Sequence, residues 1–105
     1  MKRGVIALPD FRLSELAQEE LIEIVSSGIE KFGQTVSTAY VSGLFETFKT
    51  LSGHPMIGRT VLGSASARRH AFRRHVIFYE ASPSGILILR IIPMAAIRSL
   101  DELPD

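Results

Sequence analysis

The feature that most constrains the fold is the run Ile86-Leu87-Ile88-Leu89-Arg90-Ile91-Ile92, in which Arg90 is the single polar residue. A run this apolar reads as a central strand covered on both faces. Ser82-Pro83-Ser84-Gly85 precedes it and reads as a turn, because proline fixes φ and glycine permits a positive one. Val76-Ile77-Phe78-Tyr79-Glu80 is the strand before that turn, and Arg68–Phe72 is a further candidate. Short turns force these strands antiparallel, since a parallel crossover needs roughly a dozen residues or more.

Such a sheet needs a covering layer, and the first half of the chain supplies helices. Ser14 is placed to cap a helix over about 14–31, with acidic residues in its first turn, where they favour the positive end of the helix. Ala17, Leu21, Ile24, Val25 and Ile29 recur at helical spacing. A second helix starts near Gln34 or Thr35, with Val36, Tyr40, Leu44 and Phe48 as its apolar stripe and Val41, Phe45 and Leu51 widening it. Gly53 suits a left-handed position just past its end, and Pro55 cannot continue it. The short link at Phe32-Gly33 predicts an antiparallel helical hairpin. The expected fold is therefore α+β, a helical hairpin packed on a small, mainly antiparallel sheet. All 105 residues are assigned to one domain. It comprises a short lead or strand over 1–10, the hairpin over 14–53, the sheet over 60–92 and an acidic tail over 93–105.

The charges are sorted along the chain. Residues 1–58 carry five basic and seven acidic side chains, residues 59–98 seven arginines against Glu80 alone, and residues 99–105 three acidic groups; the formal net charge is +1. A basic sheet region of net +6 between two acidic ones predicts a face that meets something anionic. With no cysteine there is no thiol nucleophile and no disulfide framework. No apolar run approaches the roughly 18–20 residues of a membrane span, and the five apolar residues Gly4–Leu8 are too short for a signal peptide. A cytoplasmic protein is expected.

Gly58-Arg59-Thr60-Val61-Leu62-Gly63 lacks the Lys-Ser or Lys-Thr of a phosphate loop, and no Gly-x-Ser-x-Gly elbow exists. His54, His70 and His75 have no metal-ligand spacing, and on one strand His70 and His75 would face opposite ways. The informative stretch is Arg68-Arg69-His70-Ala71-Phe72-Arg73-Arg74-His75. Its guanidinium forks suit phosphate and carboxylate equally; a solvated hairpin that blunts a sheet edge is the alternative use. Tyr79 is expected to be buried with its hydroxyl at the rim. Arg90 either pairs with Glu80 on the preceding strand or sits at a functional groove.

The order of these parts resembles the ParE branch of the RelE/ParE toxin superfamily of bacterial toxin–antitoxin modules. The resemblance runs from Phe11 to Ile92. It rests on Arg12-Leu13-Ser14 before the acidic helix, Phe32-Gly33, and a second helix with Tyr40. His54-Pro55-Met56-Ile57-Gly58-Arg59 is similar to the family's Pro-x-x-Gly-Arg loop, and His75–Tyr79 and Ile88–Ile92 to its central strands. The resemblance implies a plasmid-stabilisation type of toxin that poisons DNA gyrase and forms a hetero-oligomer with a ParD-like antitoxin. Contact with DNA would be only indirect, through that complex, and no cofactor, metal or membrane is implied. Arg59, Arg68, Arg69, Arg73, Arg74, His75 and Arg90 are the expected contacts to antitoxin or target, with no catalytic residue. The other branch, ribosome-dependent cleavage of messenger RNA, usually relies on a C-terminal tyrosine, and the last tyrosine here is Tyr79, inside a strand. The ending departs from the family's basic tail, because Ile91-Ile92-Pro93 leads to Asp101-Glu102-Leu103-Pro104-Asp105.

Overall fold

A computed structural model of the chain describes residues 10–97, so the lead before Asp10 and the acidic end lie outside the described residues. A strand β1 (Asp10–Leu13) leads into helices α1 (Glu15–Phe32) and α2 (Gln34–Gly53), joined through Gly33 alone. Strands β2 (Arg59–Thr60), β3 (Ala67–Phe72), β4 (His75–Ser82) and β5 (Gly85–Pro93) follow, and a 3₁₀ turn spans Met94–Ala96. Together the strands make one sheet of order β1-β5-β4-β3-β2, antiparallel except where β1 runs parallel to β5. The expected α+β architecture is what the chain adopts.

Local chemistry explains the joints. The Ser14 hydroxyl accepts the Ala17 N–H at 3.0 Å and donates to Leu89 O at 2.8 Å, so the cap also fastens α1 to β5. At Gly85, φ is +149°, and a Cβ there would lie 1.7 Å from Asp10 O on the parallel neighbour. Only glycine lets β1 approach that closely. Gly53 does not take the left-handed position predicted for it. The helix runs through Gly53 and ends at His54, φ −141°, whose N–H bonds Thr50 O and Leu51 O. Those two carbonyls are satisfied by an extended residue, so no left-handed one is required.

The sheet has an apolar cluster on each face. Under the helices, Ala17, Leu44, Phe48 and Leu51 pack on Ile77, Tyr79, Ile86, Ile88 and Ile91. Phe11, Phe45 and Phe48 add ring contacts with centroids 5.2–5.8 Å apart. On the opposite face Val61, Ala67, Val76, Phe78 and Ile92 form a second cluster, with Leu89 and Ile97 against it. This accounts for the run of β5, apolar except at Arg90, which contributes side chains to both clusters.

The outer surface of the hairpin is less well covered. Ile29, Phe32 and Val36 are 43%, 54% and 55% exposed. Between α1 and α2, Val25, Ile29, Ser37, Val41 and Phe45 line an open groove of about 390 Å³.

Candidate functional site: a basic hairpin tip docked on the second helix

The turn between β3 and β4 consists of Arg73 and Arg74, and Arg73 takes a positive φ of 51°. A non-glycine residue in that region carries strain unless its surroundings hold it there. They do so here through Tyr40 of α2. Its hydroxyl accepts the Arg74 N–H at 3.2 Å, lies 2.7 Å from His75 Nδ1 and 3.4 Å from Phe72 O. Tyr40 and His75 share one hydrogen between the hydroxyl and Nδ1, and the imidazole tautomer sets which of them donates. Arg74 O in turn accepts the Met94 N–H at 2.7 Å. The tip is thus tied to α2 on one side and to the segment after β5 on the other.

Burial pushes the His75 imidazole below its ordinary 6.5, so it is neutral at physiological pH. Burial also pushes the Tyr40 phenol above 10.0, opposed by the Arg74 N–H and by the charges of Arg73 and Arg74. Both arginines of the tip are exposed. The Arg73 guanidinium lies 5.6 Å from the Phe72 ring centroid and that of Arg74 5.8 Å from the Phe32 ring. Each stacked fork loses little freedom when it meets an anion.

The remaining predicted residues are spread over the sheet. Arg59 and Arg69 are register partners, Arg69 pairs with Phe78, and Phe78 with Arg90, so these four form one row across β2 to β5. Arg68 turns to the loop before β2 and donates from Nη1 to Gly58 O at 2.7 Å. His70 and His75 fall on different strands, β3 and β4, so the alternation of a single strand does not relate them. Arg73, Arg74 and His75 come together at the tip, whereas Arg59, Arg68 and Arg69 lie at the other end of β3.

Arg90 does not pair with Glu80. Its Nε and Nη2 both lie 2.8 Å from Glu20 Oε2 of α1, with the two side chains 15% and 17% exposed. The Ile91 N–H donates to the other oxygen of Glu20 at 2.7 Å. The reason lies in the register, which sets Glu80 opposite Leu87 while Arg90 stands opposite Phe78 beyond an irregularity at Phe78/Tyr79. Glu80 accepts from the Ser66 hydroxyl at 3.0 Å. Parallel pairing with β1 ends at Ile88; beyond it Ser14 and Glu20 supply the partners along that edge of β5.

Tyr79 is fully buried, and its hydroxyl is not at a rim. It accepts the Gly58 N–H and donates to Pro55 O, each at 2.8 Å. A Cβ at residue 58 would lie 2.4 Å from that hydroxyl, which is why glycine stands there. Tyr40 and Glu20 are the structural partners that sequence reasoning missed. Tyr40 was legible as part of an apolar stripe, and only its hydroxyl hinted at a polar partner.

Among the described residues no cluster of three potential metal ligands exists, and no helix is long and apolar enough to cross a membrane. Two helices on a five-stranded, mainly antiparallel sheet with a basic hairpin tip define a small α+β protein. The chain belongs to the family described as ParE toxin of type II toxin-antitoxin system, parDE, which it matches over residues 11–98. Its fold is similar to a structure of the chromosomal ParDE TA system from P. aeruginosa, with a TM-score of 0.69 and 16% identity. That likeness covers 84% of this chain and 98% of the other. No curated protein gives a significant match to the chain.

Proposed function

We propose that this chain is a toxin that binds and poisons DNA gyrase and is held inactive by a ParD-like antitoxin. Family membership across residues 11–98 carries the reading. Two surface features support the antitoxin half of it. The open apolar groove beside Val25, Val41 and Phe45 suits the apolar side of a segment that folds on binding. The stacked forks of Arg73 and Arg74 suit the acidic side chains of the same segment. Arg59, exposed, extends the basic surface, while Arg68, His75 and Arg90 are committed to internal bonds and shape it from beneath.

Expressing the chain alone in bacteria tests this reading. Arrested growth and altered plasmid supercoiling are expected, and co-expression of a ParD-like antitoxin restores growth. Normal growth with unaltered supercoiling, at confirmed expression, overturns the proposal.

One observation favours a second reading, ribosome-dependent cleavage of messenger RNA. In the tautomer that donates Nδ1–H to Tyr40, a neutral His75 keeps Nε2 as a proton acceptor beside the two arginines of the tip. Incubation with translating ribosomes would then give cuts at fixed codon positions, and uncut message from active protein eliminates it.

A further inference from the structure

The loop between α2 and β2 combines a rigid backbone with exposed apolar side chains. From beneath, the Tyr79 hydroxyl holds Pro55 O and the Gly58 N–H, and Arg68 holds Gly58 O. Within the loop the Ile57 N–H donates to His54 O at 3.1 Å. Four bonds therefore fix a segment of five residues, two of them to the fully buried Tyr79. On the outer side Met56 is 70% exposed and Ile57 48%. Two adjacent large apolar side chains on a mobile loop would collapse onto nearby apolar surface; a pinned backbone keeps them in water. A contact held in its bound shape loses less freedom on association, and methionine adapts to the pocket it enters.

We infer that Met56 and Ile57 form a knuckle that inserts into an apolar pocket with an acidic rim on a second protein. The inference rests on the toxin reading above, in which that protein is the toxin's target and not its antitoxin. The rim follows from charge. The chain carries no Asp or Glu between Glu46 and Glu80, Arg59, exposed, stands two residues after Ile57, and Arg68 reaches the loop at Gly58 O. The knuckle is also separate from the groove on the helical hairpin, whose lining ends at Lys49 and includes no residue of the loop. One chain can then offer one surface to its antitoxin and another to its target.

The test uses purified full-length chain, its variants Met56→Asp and Ile57→Asp, and Val36→Asp as a control at an exposed apolar site elsewhere. Thermal melts should coincide, because all three positions are solvent-facing. Binding to purified DNA gyrase holoenzyme should weaken at least tenfold in the two knuckle variants and stay unchanged in the control. Growth arrest on expression should be lost in the same two. Knuckle variants that bind gyrase and arrest growth like an active wild type overturn the inference and leave the toxin reading standing. A wild-type chain that neither binds gyrase nor arrests growth overturns both. A wild-type dimer that Met56→Asp converts to a monomer on size exclusion also overturns the inference, because the knuckle's occupant is then a second copy.

Discussion

At the scale of single residues, the most consequential side chains are those whose partners lie far away in sequence. Glu20 sits among Glu15, Glu19 and Glu23 on a helix whose acidic residues are expected only to favour its positive end. Its carboxylate nevertheless accepts from Arg90 and from the Ile91 N–H, some seventy residues later. Periodicity reports the face of a helix, not which strand edge will come to rest beside it, so this pairing was not legible. Removing one partner of a largely buried pair leaves polar groups without the compensation they had in the fold. Glu20→Ala is expected to cost about 3 kcal/mol, read as a lower urea midpoint with an unchanged slope. Gly58→Ala sets a methyl group against the Tyr79 hydroxyl and against Arg69 O, 2.8 Å away. Its expected cost is about 2 kcal/mol in the same measurement, because neither the hydroxyl nor the backbone oxygen can yield without breaking a bond.

At the scale of elements, the helices, the three long strands and the turn at Ser82–Gly85 were all legible. Each is announced by local pattern, by a cap, an apolar period or a proline–glycine pair. The parallel pairing of β1 with β5 was not, because a four-residue strand carries no record of its neighbour. The docking of the β3–β4 tip on α2 was hidden for the same reason, and it has a pH signature. His75 titrates below 6.5 when folded, because burial disfavours its charged form. The unfolded chain takes up that proton first as pH falls, so the contribution of His75 to stability is complete above the ordinary value. It is lost progressively below that value until the folded imidazole also becomes charged. Thermal melts between pH 7.5 and 5 should therefore fall more steeply for the wild type than for His75→Gln, which cannot titrate. Parallel slopes would show that the tip does not resist protonation.

At the scale of the whole molecule, exposed charge and exposed apolar surface occupy different places, the arginines at the β3–β4 tip and the groove between α1 and α2. The candidate surface was legible as a basic stretch from Arg68 to His75, but its division was not. The fold sends Arg73 and Arg74 to an exposed tip and turns Arg68 inward to Gly58. Exposed charges act at long range, and they raise the rate of encounter more than they slow dissociation. Apolar contacts in a groove such as the one beside Val41 and Phe45 act only after contact and govern dissociation. For the proposed antitoxin, Arg73→Ser/Arg74→Ser should therefore lower the association rate about tenfold at low ionic strength while leaving dissociation within about twofold. Val41→Asp in the groove should do the reverse. Stopped-flow measurements with the acidic C-terminal segment of a ParD-like antitoxin, repeated as salt is raised, separate the two effects. The advantage of the wild type over the tip variant must shrink as the Debye length falls from about 30 Å at 0.01 M to about 8 Å at 0.15 M. If the two associate at the same rate at low salt, the tip does not steer, and the arginines would then serve only to keep the sheet edge solvated.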